Sequence, residues 1–143
     1  MNHICSILEW CTGILASLIV VFLTQLINEK YFVPRRKIKE LISEVNYILN
    51  YYANIIANPG EVETELEVEA SNELRKASMK LMAFIAIYPR IKYGKITHME
   101  LGDIGSCLIG LSNSVGNINH AEINLKKITE LRELLHKNNP EAL

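Results

Sequence analysis

Six basic residues, Arg75, Lys76, Lys80, Arg90, Lys92 and Lys95, fall between positions 75 and 95, a stretch without a single acid. Tyr88 and Tyr93 are interleaved with them. Cationic side chains at this density suit phosphate oxygens, and aromatic faces among them suit base stacking. Two plainer roles fit the same residues: neutralising the glutamate run that precedes them, or facing lipid headgroups. No other chemistry stands out. The chain has no phosphate loop, GxSxG, HExxH or dinucleotide fingerprint, and Gly102-x-x-Gly105 falls inside an expected helix. The three cysteines (Cys5, Cys11, Cys107) and four histidines (His3, His98, His120, His136) do not share metal-ligand spacings. The expectation is reduced thiols, no metal, no cofactor and no enzymatic activity. An outer-face intermolecular disulfide through Cys5 is open but not required.

The element that organises the chain is residues 10–27, WCTGILASLIVVFLTQLI, eighteen residues without a charge. As a helix they reach roughly 27 Å at about 1.5 Å per residue, close to the hydrocarbon thickness of a bilayer. A cleaved signal peptide should open with Lys or Arg and end in a small-residue site, and Thr24-Gln25-Leu26 is a poor one. A core helix would show a polar face, and an interfacial helix a strongly charged one. The reading is a transmembrane helix. Lys30, Arg35, Arg36, Lys37 and Lys39 follow it and no Lys or Arg precedes it, which places the C-terminal side in the cytoplasm and the N-terminus outside. Trp10 marks the outer interface; Tyr31 and Phe32 mark the inner one.

At about 100° per residue, Ser6, Glu9, Gly13, Ala16, Ser17, Val20 and Thr24 fall on one stripe of the span. Gly13 and Ser17 are a small-xxx-small pair, which permits close helix approach. The stripe is read first as a packing seam and second as a pore lining with Glu9 ringing the outer mouth. Both require self-association or a membrane partner.

Residues 1–33 thus form the anchor or pore helix, and 34–143 a cytosolic antiparallel bundle of about four helices, an all-α chain. The residue before a proline avoids the α region, so Val33-Pro34 should break or kink the helix. Ile38, Leu41, Val45, Ile48, Tyr52 and Ile55 set a stripe over 34–57, closed by Asn58-Pro59-Gly60. The run EVETELEVEA is read as a loop leading into a helix that carries Ala70, Leu74, Ala77, Leu81, Phe84 and Tyr88 and stops at Pro89. Thr97-His98-Met99-Glu100 is a capping box. It opens a helix to about 115 whose Gly102, Gly105, Ser106 and Gly110 require a close neighbour, since each helical glycine costs about 1 kcal/mol against alanine. Ser112, Asn113 and Ser114 are expected to cap its end before Gly116. Asn119 should cap the last helix, which buries Ile123, Ile128, Leu131 and Leu135 and solvates Lys126, Lys127, Arg132 and Lys137.

The run Glu73-Leu74-Arg75-Lys76-Ala77-Ser78 to Met82-Ala83, the run Leu108-Ile109-Gly110-Leu111-Ser112-Asn113-Ser114 and the N-terminal span resemble small bacterial single-pass membrane proteins with an LIGLSNS motif. The layout is also similar to the Hailong-type membrane effectors of anti-phage defence. That resemblance implies a homo-oligomeric membrane channel in the bacterial inner membrane, controlled by an oligonucleotide signal from a partner nucleotidyltransferase. It carries over no ligand residues. The residues themselves leave a second role open, a non-conducting tethered adaptor that recruits a protein.

Overall fold

The computed structural model describes residues 2–60 and 64–137 and is all-α. Its contacts divide the chain into residues 1–36 and 37–143. The first unit is built on α1 (Asn2–Ile27). No described side chain from 12 to 33 is buried, and bulky apolar residues such as Val21 and Phe22 stand exposed. Among the described residues this is the one helical stretch long and apolar enough to cross a membrane, a test that a signal sequence also passes.

The break expected at Val33-Pro34 does not occur. Val33 is helical (φ −61°, ψ −50°), and Pro34 sits in the first turn of α2 (Val33–Tyr51). The preceding five residues, Asn28–Phe32, form a π-helical turn, and the Val33 N–H donates to the Asn28 carbonyl five residues back. In a regular α-helix the proline ring strikes the carbonyl four residues earlier. The wider π turn displaces that carbonyl, so the chain stays helical.

The second unit packs around one apolar core. Ile38, Leu41, Val45, Ile48 and Leu49 enter it from α2, on the expected stripe. That helix yields at Tyr52 (φ −97°, ψ 11°), and a short α3 (Ala53–Ala57) follows instead of one helix to 57. Next come α4 (Thr64–Ile87), α5 (His98–Ser114) and α6 (Ala121–His136). Glu61 and Glu63 lie outside the described residues, while Glu65, Glu67 and Glu69 belong to α4 rather than to a loop. Acids in a first turn answer the positive end of the helix. Leu74, Leu81, Leu101, Ile104, Leu108 and Leu111 are fully buried where α4 meets α5.

The glycines of α5 are explained at Gly105. A Cβ there would lie 2.7 Å from Met82 Sδ, and the Ser78 hydroxyl donates to the Gly105 carbonyl at 2.6 Å. A Cβ at Gly102 would meet nothing within 4 Å.

The capping box at Thr97 forms as expected: Glu100 N–H donates to Thr97 Oγ1 (3.3 Å) and Thr97 N–H to Glu100 Oε2 (2.7 Å). Two other expectations are corrected. Asn119 does not cap α6; the Asn117 side chain accepts from Asn119 N–H and caps a single 3-10 turn, Ile118–His120, ahead of it. Ile123 is half exposed, and Asn124 is wholly buried in its place. The stripe of α6 is therefore 124, 128, 131, 135, with Ile123 about 100° off it.

Asn124 is fully satisfied. Its Oδ1 accepts from the Ser114 hydroxyl (2.5 Å), and its Nδ2 donates to the carbonyls of Ile56 (3.1 Å) and Ser114 (3.4 Å). Removing one partner strands the rest without water. Asn124→Ala is expected to lower the unfolding free energy of the helical domain by about 2 kcal/mol. Urea titration of the detergent-solubilised chain, followed by Tyr fluorescence, reads it; a shift below about 0.5 kcal/mol counts against this role.

Lys137 Nζ donates to Glu100 Oε1 across α5 and α6 (2.5 Å). That bond, and then the two from Thr97, hold the Glu100 carboxyl down at about 2. A depressed carboxylate stabilises the fold above its ordinary value of 4.5, and the contribution fades as pH falls towards 2. Glu100→Gln should flatten the acid limb of a pH–stability profile between those values; an unchanged profile refutes the link.

Candidate functional site

On α1, Trp10, Gly13, Ile14 and Ser17 line a notch of about 400 Å3. A Cβ at Gly13 would meet nothing within 4 Å, so the notch is open space beside the backbone. Ser17 Oγ donates to the Ile14 carbonyl (2.7 Å) and Thr24 Oγ1 to the Val20 carbonyl (2.8 Å). Both hydroxyls are thus spent on their own helix. Ala16 and Val20 are exposed on the same unit. The side chains of Ser6 and Glu9 lie outside the described residues.

The six basic residues are spread along α4 and its following loop. Arg75 Nη2 donates to Asn113 Oδ1 of α5 (3.0 Å). Lys76 pairs with Glu73 on its own helix (2.6 Å), whose carboxylate raises the ammonium pKa. Lys80 reaches Glu44 of α2 (2.5 Å). Arg75 and Lys80 therefore lean towards different neighbours of α4. Arg90, Lys92 and Lys95 are exposed in the α4–α5 connection, where Tyr93 and Ile96 exchange backbone hydrogen bonds around Gly94. The interleaved aromatics face inward: Tyr88 stacks at 4.9 Å on Phe84, and Tyr88 and Tyr93 are partly buried against the core. Arg90, Lys92 and Lys95 share this loop, whereas Arg75, Lys76 and Lys80 lie on α4.

The LIGLSNS segment joins elements. The Ser112 hydroxyl donates back to the Ile109 carbonyl of α5, as a capping residue does. Ser114 reaches Asn124, the Ser112 carbonyl accepts from Ser71 (2.6 Å), and Asn113 holds Arg75. Cys107, half-buried in α5, is a free thiol whose pKa burial pushes up.

A second depression of about 400 Å3 lies between the start of α4 and the end of α5. Its distinctive group is Glu67, only 8 % exposed. Glu67 Oε1 accepts the Gly60 N–H at 2.5 Å. A Cβ at Gly116, where φ is +83°, would sit 3.2 Å from Oε2. The acidic run hid this residue, yet its register announces it: Glu67 precedes Ala70, Leu74 and Ala77 on the buried stripe.

The chain matches no protein-family model, no curated protein and no solved structure.

Proposed function

We propose that this chain is a single-span membrane effector that works as a homo-oligomer, with α1 in the bacterial inner membrane, its N-terminus outside and the helical domain in the cytoplasm. The observation that carries the reading is α1 itself, uncharged over eighteen residues, exposed along its described side chains, and notched at Gly13 and Ser17. Without a hydrophobic drive between helices in lipid, association depends on close packing, and a notch beside a glycine supplies it. Lys30, Arg35 and Arg36 beyond the span support the orientation. In this reading the helical domain assembles the spans and sets whether the assembly conducts ions. The layout shared with anti-phage membrane effectors supports a defence role, with an oligonucleotide from a partner nucleotidyltransferase as the signal. The exposed loop cations Arg90, Lys92 and Lys95 are the phosphate-facing group. A signal shifts the assembly only through differential affinity for its two states.

A second reading is a non-conducting tethered adaptor that recruits a protein. One observation favours it: Ser17 and Thr24 spend their hydroxyl protons on their own backbone and leave only acceptor lone pairs to a pore.

Filling the notch tests the self-association shared by oligomeric effectors. Gly13→Leu is expected to weaken association in vesicles about tenfold, on the order of 1.4 kcal/mol, read by energy transfer between labelled copies. Equal transfer in the variant removes the notch from the seam. Conduction is read with a voltage-sensitive dye in expressing bacteria, alone and with the native neighbouring genes during phage infection. Depolarisation abolished by Gly13→Leu supports the effector. Silence in both settings, with activity surviving exchange of residues 1–33 for an unrelated span, supports the adaptor. For the ligand, Arg90→Ala with Lys92→Ala is expected to reduce oligonucleotide binding and to lower its salt dependence by about two counter-ions. Unchanged binding excludes these residues.

A further inference from the structure

Most charged groups of the helical domain that the structure describes are exposed, and many have a partner. Glu67 departs from both habits. It is more than nine-tenths buried and forms no ion pair among the described residues. Its single hydrogen bond there is from the Gly60 backbone to Oε1. Buried charge without a counter-charge is costly, and proteins place it where a ligand or a catalytic task uses it.

The surroundings define the ligand. Thr64, Ser71, Asn72 and Asn117 line the same depression as Glu67; the Ser71 hydroxyl donates to the Ser112 carbonyl, and Asn117 Oδ1 accepts from Asn119 N–H. No lysine, arginine or histidine lines it. The end of α5, at Ser114, lies next to the lining residues Val115 and Gly116 and adds the negative pole of a helix. The positive pole at the start of α4 is already answered by Glu65 and Glu67. The lining thus holds one carboxylate and no cation, which favours a cationic ligand over phosphate. A volume of about 400 Å3 suits a small molecule rather than a bare metal ion, and clusters of three or more carboxylates, cysteines or histidines that could hold a metal are absent among the described residues.

We infer that the Glu67 depression binds a small organic cation, its ammonium or guanidinium head on the Glu67 carboxylate and a remaining N–H donor on the Asn72 amide oxygen. Such a head carries three to five donors and no acceptor, which complements a lining of oxygens. Occupancy would tie the Asn58–Gly60 turn, α4 and the end of α5 together through one charge. The site does not depend on association of α1.

Isothermal titration of the full chain in a neutral detergent, at low salt, tests it with agmatine and putrescine as probes and inorganic phosphate as the counter-probe. Saturable binding of a cationic probe is expected, at least tenfold weaker in Glu67→Gln and unchanged in Glu122→Gln. Glutamine still accepts the Gly60 N–H through Oε1, so the fold is retained and circular dichroism verifies it. Asn72→Asp adds a second charge at the rim and should tighten binding several-fold. No saturable binding of either cation in the parent chain or Asn72→Asp overturns the inference. Equal binding by Glu67→Gln, or binding of phosphate instead, overturns it as well.

Discussion

The helical domain depends on how closely α4 and α5 approach. Where they cross, position 105 has no side chain, the end of the Met82 side chain lies where a Cβ would stand, and the Ser78 hydroxyl donates to the Gly105 carbonyl. Ser78 is buried and has a partner only because it reaches the Gly105 carbonyl. The same approach brings Ser71 to the Ser112 carbonyl and Arg75 to Asn113, so three polar links run along one seam. An alanine-rich α5 would be the better isolated helix, but its neighbour would stand further off. Local propensity has been given up for tertiary contact, and the Glu67 depression lies at the open end of that seam.

The surface charges are arranged more loosely. Lys37, Lys76, Lys80, Lys126 and Lys137 each sit near a glutamate, and in every pair both side chains keep appreciable exposure. Exposed pairs of this kind stabilise by about 0–1 kcal/mol each. Within the basic run, Arg75, Lys76 and Lys80 bond to Asn113, Glu73 and Glu44. A cationic stretch in sequence has become a smaller cationic loop in space.

Helix faces, the capping box and the need for close packing around Gly105 were legible because each rests on a local rule of period or capping. The membrane candidate was legible from eighteen uncharged residues. What escaped were polar residues on apolar stripes. Asn124 lies in phase with Ile128, Leu131 and Leu135, and Glu67 in phase with Ala70 and Leu74, but a period count that admits only apolar residues passes over them. Pro34 escaped for a different reason. A proline rule written for α geometry does not anticipate a π turn that moves the opposing carbonyl aside. The six cations were legible as a composition, whereas their partners come from helices distant in sequence.

The amide of Asn124 and the carbonyl of Ile56 are 68 residues apart. Translation at about 5–20 residues per second separates their synthesis by roughly 3 to 14 s. During that interval α1 has already been made, while the Ile56 carbonyl still lacks the Asn124 amide that donates to it. The domain therefore cannot close its polar knot until its last helix has been made.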